Sequence, residues 1–508
     1  MTNDSYIQDL KVKAIPIRTG KHIAVLNDID AKELGVMAGD RVELLNKKNS
    51  KKCVAFIDVT SVSVKENHLG LFEEVLEELN VKSGSMVTTR ATDPLKSIDF
   101  IKKKMMGIKL TRQEITEVVK DISEERLSDV EAAAFVSAVY MKGLDLDETI
   151  SMTKALIDGG GKFQFAKGPI VDKHSVGGTN GRATMVIVPI VAAAGLYMPK
   201  TSSRSITSAA GTADSMEVLA DVCLPMEKIK TITEKHGGVI AWGGAVDLAP
   251  ADDKIIRIEH PLSLDPEGQV IASVLAKKAS VGSKFVVIDL PVGKYVKIKD
   301  KAIALRMAKK FVQVGKEVGM RVEAVLTNGE EPCGLAFGSA LEAKYALEVL
   351  EGKRFDNLAQ KSCELAGVLF EMVGLSKAGK GYDKAVEILE SGKALKKMKE
   401  IIKAQGGRID SSEKVPKAPY HVDFKAGTDG IIEEVNIRDL TKIARFSGAP
   451  SNQTAGLMLH KRAGDKVTEG EALLTIYAEN KEKMKIAQAY AMKNIPFTFK
   501  RIILQTIK

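Results

Sequence analysis

The sequence has few cysteines, four in 508 residues, and none of them forms a C-x-x-C pair. Widely spaced cysteines without neighbouring histidine pairs argue against a zinc site, and the same spacing argues against a disulfide framework. We therefore expect a reducing compartment and no bound metal. The four residues are Cys53, Cys223, Cys333 and Cys363.

The chain also lacks a long hydrophobic run. Its longest apolar stretch, from Met185 to Pro199, covers fifteen residues, whereas a membrane-spanning helix needs about 20. The first residues, M-T-N-D-S-Y, are polar and do not have the pattern of a signal peptide. We expect a cytoplasmic protein that does not contact the membrane.

Neither sign of charge is in large excess. Lysine and arginine number 75 against 66 aspartates and glutamates, which leaves a formal charge of +9 spread along the chain. This modest surplus suits anionic small molecules and does not require nucleic acid as a partner. At this length the chain is expected to form three or four domains.

Two clusters rich in glycine, serine and threonine flank the apolar stretch. The first, V-D-K-H-S-V-G-G-T-N-G-R-A-T, begins at Val171 and contains Lys173 and Arg182. The second, K-T-S-S-R-S-I-T-S-A-A-G-T, begins at Lys200 and contains Arg204. Glycine lets backbone N–H groups approach an anion, while hydroxyls and cations add donors and charge. A single such loop is more often only a turn, but two together predict a phosphate site.

Two familiar phosphate motifs are excluded. A P-loop needs Lys followed by Ser or Thr after the last glycine, and Gly181 is followed by Arg182. The dinucleotide fingerprint G-x-G-x-x-G does not occur between Gly177 and Gly181. Kinase-type and Rossmann-type functions are therefore disfavoured.

The residues of these clusters resemble a family signature. D-K-H-S at 172–175 with the two following glycines, and S-S-R at 202–204 leading to A-G-T-x-D-x-x-E at 210–217, are similar to the thymidine and pyrimidine-nucleoside phosphorylases. The form S-R-S-I-T-S-A-A-G-T-A-D is closer to the AMP phosphorylase branch, also called type 2 thymidine phosphorylase. The resemblance extends from about residue 98 to the C-terminus and includes the extra N-terminal domain of that branch.

The resemblance implies a pentosyltransferase. It predicts phosphorolysis of nucleoside 5′-monophosphates, AMP and also CMP and UMP, to free base and ribose 1,5-bisphosphate. Inorganic phosphate is then the co-substrate, with no further cofactor. A homodimer through a helical lobe, enlarged to a bigger homo-oligomer by the N-terminal domain, is the expected assembly.

The fold is expected to be multidomain α/β. An internal repeat, K-E-L-G-V-M-A-G-D-R-V-E-L at 32–44 and E-E-L-N-V-K-S-G-S-M-V-T-T at 77–89, has an offset of 45 residues and resembles a double-psi β-barrel. Strands are also predicted at Ala14 to Ile17 and Val54 to Val59, and capping boxes begin helices at Thr111 and Ser128. The predicted domains are an N-terminal β-barrel (1–90), a helical lobe (96–160 and 251–282), an α/β phosphate-binding lobe with a mostly parallel sheet (165–250 and 283–415), and a C-terminal α+β, half-barrel-like domain (420–508).

The resemblance also assigns site residues. The residues implied to bind inorganic phosphate are Lys173, Ser175, Thr184, Ser202 and Thr212. The residues implied to contact the substrate are Gly177, Gly178, Ser203, Arg204, Ser205, Ile206, Thr207, Ser208, Thr212, Ser273, Lys277 and Lys297. Asp265 is implied as the proton donor to the leaving base, and His174 as an auxiliary catalytic residue.

Three points about this site stay open. Arg204 with its neighbouring hydroxyls suits the 5′-phosphate of a nucleotide. Asp265 precedes Pro266 and a helix, so it is a good helix cap as well as a candidate acid. Position 258 is Ile258, next to Arg257, where related nucleoside enzymes carry Arg, which leaves the base preference undecided.

Two other functions remain alternatives. One is a thymidine or pyrimidine-nucleoside phosphorylase, which differs only in the absence of the 5′-phosphate. The other is a non-catalytic nucleotide- or nucleic-acid-binding protein built on the N-terminal barrel and the basic charge. The intact K-H-S and A-G-T motifs argue against the non-catalytic function.

Overall fold

The computed structural model describes residues 7–166, 168–178, 182–205, 208–246, 248–262 and 264–500. The chain forms two compact units. One comprises Met1–Leu144 and Ala251–Pro266, and the other Asp145–Pro250 and Glu267–Lys508. Across the described residues, no helix combines the length and the apolar character that crossing a membrane requires.

The first unit begins with a closed six-stranded barrel, with strand order β1-β5-β2-β4-β3-β6. Its elements are β1 (Ile7–Ala14), β2 (Ile23–Asn27), α1 (Asp28–Leu34), β3 (Arg41–Asn46), β4 (Lys51–Thr60), β5 (His68–Leu71), α2 (Glu73–Leu79) and β6 (Met86–Ala91). Alternate residues of the strands point inward and form one buried aliphatic core. Closure leaves no unpaired strand edge in the barrel.

The internal repeat is confirmed by this barrel. Helix α1 recurs as α2, and strand β3 recurs as β6, each 45 residues later. The parallel pairs β1–β5 and β2–β4 are equivalent under the same repeat. Gly39 and Gly84 occupy matching turns with φ of 92° and 87°, a region that favours glycine.

One strand prediction in this region is partly wrong. Strand β4 contains the predicted segment Val54 to Val59, but β1 ends at Ala14. The predicted continuation to Ile17 fails because Pro16 has no N–H to donate to a neighbouring strand.

The rest of the first unit is helical: α3 (Lys96–Met105), α4 (Arg112–Ser123), α5 (Asp129–Lys142) and α10 (Pro250–Leu262). Both predicted capping boxes are present. The Thr111 hydroxyl accepts from the backbone N–H of Glu114 at 3.3 Å, and the Glu114 carboxylate accepts from that of Thr111 at 2.7 Å. Ser128 and Glu131 make the same exchange, so the start of each helix is encoded locally.

The second unit contains the remaining helices α6–α9 and α11–α18 and strands β7–β18. Its first part consists of α6 (Leu146–Asp158), β7 (Val171–Ser175), α7 (Ala183–Ala193), β8 (Met198–Ser202), α8 (Thr212–Glu217), α9 (Met226–His236), β9 (Gly238–Trp242), α11 (Glu267–Ser280), β10 (Phe285–Val292), α12 (Lys301–Glu317) and β11 (Arg321–Asn328). Its second part consists of β12 (Ala336–Phe337), α13 (Ser339–Leu350), α14 (Asn357–Met372), α15 (Gly381–Glu390), α16 (Lys393–Ala404), β13 (Tyr420–Lys425), β14 (Gly430–Val435), α17 (Ile437–Phe446), β15 (Gly456–Leu459), β16 (Lys466–Val467), β17 (Ala472–Ala478), α18 (Lys481–Lys493) and β18 (Phe497–Phe499).

The strands around the predicted phosphate clusters are parallel, as expected. Strand β10 lies between β11 and β7, and β8 pairs with β9. A parallel bridge between Ile170 and Tyr197 shows that β7 and β8 run in the same direction. The loops that follow β7 and β8 therefore leave the same edge of the structure, where the carboxyl ends of parallel strands form binding sites in α/β folds.

Helix α7 explains the apolar stretch between the two clusters. Every described side chain from Ala183 to Ala192 is buried, and the helix packs within the largest hydrophobic core, together with α13, α14 and α16. A helix that is apolar all round is a buried core helix. The helix leads from the first loop back to the start of β8, so the second loop begins at the same edge as the first.

The strands beyond α16, joined by the earlier strand β12, form two small antiparallel sheets, with orders β12-β15-β17-β13 and β16-β14-β18. Helices α17 and α18 pack on them around a separate aliphatic core. This region is a mixed α and β segment with its own core.

Candidate anion-binding site

Side chains of β7 alternate between the two faces of the sheet. Lys173 and Ser175 therefore lie on one face, and Asp172 and His174 on the other. In the parallel register Ser175 is the partner of Asp289 on β10, and partners in a sheet project to the same face. The strand thus presents a different set of charges to each side.

Lys173 is a buried cation at the first predicted loop. Burial lowers the pKa of its ammonium group to about 8, even though the charge of Asp289 acts to raise it. In the part of the chain that the structure describes, no carboxylate lies within ion-pair distance of this ammonium. Thr184 is also buried and lies in the first turn of α7. The charge of Lys173 would therefore be stabilised by an anion that binds from outside the protein.

Asp289 is the buried centre of a polar cluster beside Lys173. The hydroxyl of Ser175 donates to Asp289 Oδ2, that of Thr327 donates to Oδ1 at 2.5 Å, and Lys361 Nζ is 2.9 Å from Oδ2. Burial acts to raise the pKa of this carboxyl, but Lys173, Lys361 and the hydroxyl donors hold it below its usual value. Asp289 is ionised and keeps Ser175 oriented.

No motif in the sequence singles out Asp289, Thr327 or Lys361 as site residues. The available signal was an aspartate inside the apolar strand F-V-V-I-D-L, since a charged residue in such a strand must find partners once it is buried. Lys361 lies on α14 and Thr327 on β11, so no local pattern connects them to the loop.

The opposite face of β7 carries a buried ion cluster. Asp172 Oδ2 is 2.8 Å from Lys278 Nζ, and Oδ1 is 3.4 Å from Lys200 Nζ. Burial, with the charges of Lys278, Lys200 and Lys173, lowers the pKa of His174 well below its usual value. His174 is therefore a neutral imidazole near pH 7, which donates or accepts hydrogen bonds without carrying charge.

The glycines after β7 allow close packing. Gly177 has φ of +72°, and a Cβ placed there would lie 2.4 Å from Lys297 Cβ. The structure thus brings together two predicted substrate residues that are far apart in sequence. Gly178 is next to Ser175, since a Cβ added to this glycine would lie 3.5 Å from the serine Cβ. Both glycines belong to the loop that follows the Lys173 strand.

The second predicted loop follows β8, which ends at Ser202. Arg204 forms two hydrogen bonds with Glu217, of 2.5 and 2.6 Å, and a longer one of 3.3 Å with Asp214. Its guanidinium lies 4.9 Å from the centre of the Trp242 ring. The hydrogen bonds to Glu217 raise the pKa of Arg204. The charge of Arg204 is therefore balanced within the protein.

Asp214 organises the backbone of this loop. Its Oδ2 accepts from the N–H groups of Ser205 and Gly211, both at 2.7 Å, and the hydroxyl of Ser205 donates to the carbonyl of Ser208 at 2.5 Å. A Cβ on Gly211 would lie 2.6 Å from the carbonyl carbon of Arg204. The predicted contacts Ile206 and Thr207 lie outside the described residues.

A cavity of about 280 Å³ adjoins Arg204. It is bounded by both carboxylates that bind the arginine and by two segments further along the chain. The lining residues are Arg204, Ser205, Asp214, Glu217, Ser339, Pro450, Ser451 and Gln453. The second loop therefore borders a polar space.

The other predicted residues fall on separate elements. Ser203 links β8 to the Arg204 segment, and Thr212 begins α8. Ser273 and Lys277 lie four residues apart on α11 and so share a helix face. Asp265 lies between α10 and α11 and belongs to the first unit. No group of three metal-ligating side chains is close enough to hold an ion among the described residues.

Family models identify most of the middle of the chain as a glycosyl transferase. Residues 98–160 match the model of the glycosyl transferase family helical bundle domain, and residues 167–395 match that of its α/β domain. Residues 431–498 match the pyrimidine nucleoside phosphorylase C-terminal domain.

More complete matches come from archaeal proteins. One from Methanococcoides burtonii, named AMP phosphorylase, is 45% identical over 502 residues, covering 98% of this chain and 99% of its own. One from Archaeoglobus fulgidus, named AMP phosphorylase 1, is 44% identical and covers 97% and 98%. The chain belongs to the AMP phosphorylase family, which confirms the resemblance seen in the sequence.

A solved structure shares the fold. The anthranilate phosphoribosyltransferase of Thermus thermophilus aligns with a TM-score of 0.53 and 20% identity, covering 61% of this chain and all of its own. At this identity the likeness concerns the fold alone. It supports the multidomain α/β architecture predicted from the sequence.

Proposed function

We propose that this chain catalyses phosphorolysis of nucleoside 5′-monophosphates, with AMP as the principal substrate. The observation that carries the proposal is the buried ammonium of Lys173, which has no described carboxylate in contact and lies on a parallel strand two residues before its carboxyl end at Ser175. A buried cation of this kind is stabilised when an anion binds. The AMP phosphorylase relatives supply the identity of the reaction.

In the proposed reaction an oxygen of inorganic phosphate attacks C1 of the ribosyl unit. The N-glycosidic bond breaks, its electron pair goes to the base, and the base takes up a proton. The products are free base and ribose 1,5-bisphosphate. Because charge develops on both the sugar and the base, placement of fixed charges contributes most to the rate.

The proposed roles follow the predicted residues. Lys173, Ser175, Thr184, Ser202 and Thr212 hold phosphate, and Asp265 protonates the base. Ser273 and Lys277 contact the base from one helix face, and activity on CMP and UMP as well as AMP belongs to the same proposal.

A nucleoside phosphorylase is the second candidate. The observation that favours it is the pairing of Arg204 with Glu217 inside the protein, which occupies the cation assigned to the 5′-phosphate. Nucleotide use would then require Arg204 to exchange its carboxylate partner for the phosphate group.

One assay separates these candidates. Base release is measured from AMP, CMP, UMP and thymidine, each with and without inorganic phosphate. Phosphate-dependent release from AMP with little from thymidine supports the proposal. Preferential use of thymidine would favour the second candidate, and binding without turnover would identify a non-catalytic protein.

We further propose a homodimer through the helical lobe, enlarged by the N-terminal barrel. Helix α5 supports this proposal because Val130 and Met141, about three turns apart, are 80% and 66% exposed, and exposed apolar patches often mark interfaces. Light scattering of the full chain and of a variant lacking residues 1–85 tests it. A monomeric full chain, or a truncation with an unchanged number of chains per particle, would contradict the assembly.

A further inference from the structure

The groups around Asp289 affect the pH at which Lys173 loses its proton. Lys173 and Asp289 lie on neighbouring strands with side chains on the same face of the sheet. Lys361 reaches the same carboxylate from α14, at 2.9 Å. The buried Lys173 and the partly buried Lys361 therefore both interact electrostatically with one buried carboxylate, and the charge of each lysine affects the other.

The two neighbours act on Lys173 in opposite directions. The negative charge of Asp289 stabilises the ammonium form, whereas the positive charge of Lys361 destabilises it. Other groups that act on Lys173 are Cys333, whose thiol pKa is raised by burial, Arg182, which is paired with Glu342, and Lys200, which is paired with Asp172. Cys333 is therefore neutral, and Arg182 and Lys200 are partly balanced by their own carboxylates, so Asp289 and Lys361 are the opposing pair.

We propose that Asp289 is a positioning residue of the phosphate site, which keeps Lys173 protonated and the Ser175 hydroxyl oriented, and that Lys361 sets the strength of this effect. The inference rests on the proposed role of Lys173 as the phosphate-binding cation. It assigns functions to two residues that are distant in sequence from β7. Asp289 lies 114 positions after Ser175, and Lys361 lies 188 positions after Lys173.

The proposal predicts that two substitutions shift the alkaline limb of the pH profile for phosphate use in opposite directions. Lys173 is charged below its pKa of about 8, so phosphate use in the wild-type protein should fall as the pH rises through that value. Asp289→Asn removes the stabilising charge and should move this alkaline limb down by about one pH unit. Lys361→Met removes the opposing charge and should move the limb up.

The measurement is kcat/KM for inorganic phosphate at saturating AMP, across the pH range. Direct calorimetric titration with inorganic phosphate gives the same limb without turnover. Asp289→Glu restores the charge and should return the limb toward its wild-type position. Thr327→Val removes a hydrogen bond to the same carboxylate and one from Lys361 without changing charge, and should leave the limb in place.

A structural role alone predicts a different result. If Asp289 and Lys361 only hold the fold together, both variants lower thermal stability and neither moves the limb, which would overturn the proposal. Should Asp289→Asn fail to fold, Lys361→Met decides, since an unshifted or lowered limb in that variant also contradicts the inference. Wild-type protein that binds phosphate with the expected pH limb but releases no base would overturn the proposed function and leave the inference standing.

Discussion

The two clusters rich in glycine and hydroxyls, around β7 and after β8, have similar compositions but present their cations differently. Lys173 is buried, and no described carboxylate contacts its ammonium group. Arg204 is partly exposed, and Glu217 holds it through two short hydrogen bonds. The first cation is thus ready for an anion, whereas the second already has one.

The difference arises from residues outside the two motifs. Asp289 is 114 positions from Ser175 and is shared with Lys361, so it cannot neutralise Lys173 alone. Glu217 is 13 positions from Arg204 and is not shared with another described cation. A loop rich in glycine, hydroxyls and one cation therefore predicts where an anion binds, but the nearest carboxylate decides whether the cation is available.

The largest effect is expected from a residue outside both loops. Asp265→Asn should reduce turnover by roughly 10²- to 10⁴-fold, the usual contribution of general acid catalysis, whereas any role of residue 265 as a helix cap would be kept, because an amide caps as well as a carboxylate. Steady-state kinetics with AMP, together with thermal melting, provide the measurement. Near-normal turnover would leave Asp265 as a cap only and would make the two anion loops the main source of catalysis.

A matched control exists for this change. Asp300 is a demonstrated cap of α12, accepting from the N–H of Ala302 at 2.6 Å. Asp300→Asn makes the same chemical change at a helix start and should leave turnover unaffected.

Removing Lys173, the cation without a carboxylate partner among the described residues, should specifically weaken the use of phosphate. Lys173→Ala should raise the KM for phosphate roughly 10- to 100-fold, because a hydrogen bond to a charged group contributes about 1.5–3 kcal/mol. The KM for AMP should change little. Lys294→Ala, which removes an exposed lysine paired with Glu434, serves as the control. Equal losses for both substrates would show that Lys173 supports the fold or both sites at once.

The second loop should be sensitive to a small addition of volume. Gly211→Ala would place a Cβ 2.6 Å from the backbone of Arg204, and such overpacking lowers the free energy of unfolding by about 1–3 kcal/mol. Gly427 has open space around it, so Gly427→Ala should be neutral. Urea unfolding of both variants checks this prediction. Equal stability of the two would mean that the Arg204 segment adjusts easily and is not fixed by Asp214.

Local patterns predicted much of the fold. Three of these patterns are the 45-residue repeat, the capping boxes at Thr111 and Ser128, and the alternation of strands and helices that indicates a parallel sheet. Each can be recognised along the sequence itself, so the sequence alone was sufficient to predict them. Lys173 and Ser175 were predicted as phosphate-binding residues from their motif. The pairing of Ser175 with Asp289 depends on the register between two distant strands, and no local rule predicts that register. The partner of Arg204 was missed although Glu217 belongs to the quoted motif, because the motif was interpreted as binding an external anion.

The smallest expected effect tests whether Arg204 exchanges partners. If the 5′-phosphate of AMP competes with Glu217 for the guanidinium, Glu217→Gln should weaken the internal pair and lower the KM for AMP by about fivefold, corresponding to about 1 kcal/mol for a partly exposed ion pair. Arg204→Ala should raise the same KM. Neither change should affect a nucleoside, because the interaction exists only with the nucleotide.

The pair of variants distinguishes exchange from a fixed structural contact. In a fixed contact, breaking either side of the Arg204–Glu217 pair disturbs the loop in the same way, so Glu217→Gln and Arg204→Ala would both raise the KM for AMP and for a nucleoside. In an exchange, the two variants shift the KM for AMP in opposite directions, since one releases the cation and the other removes it. The double variant should then resemble Arg204→Ala alone, because Glu217 has no further effect once the guanidinium for which it competes is gone.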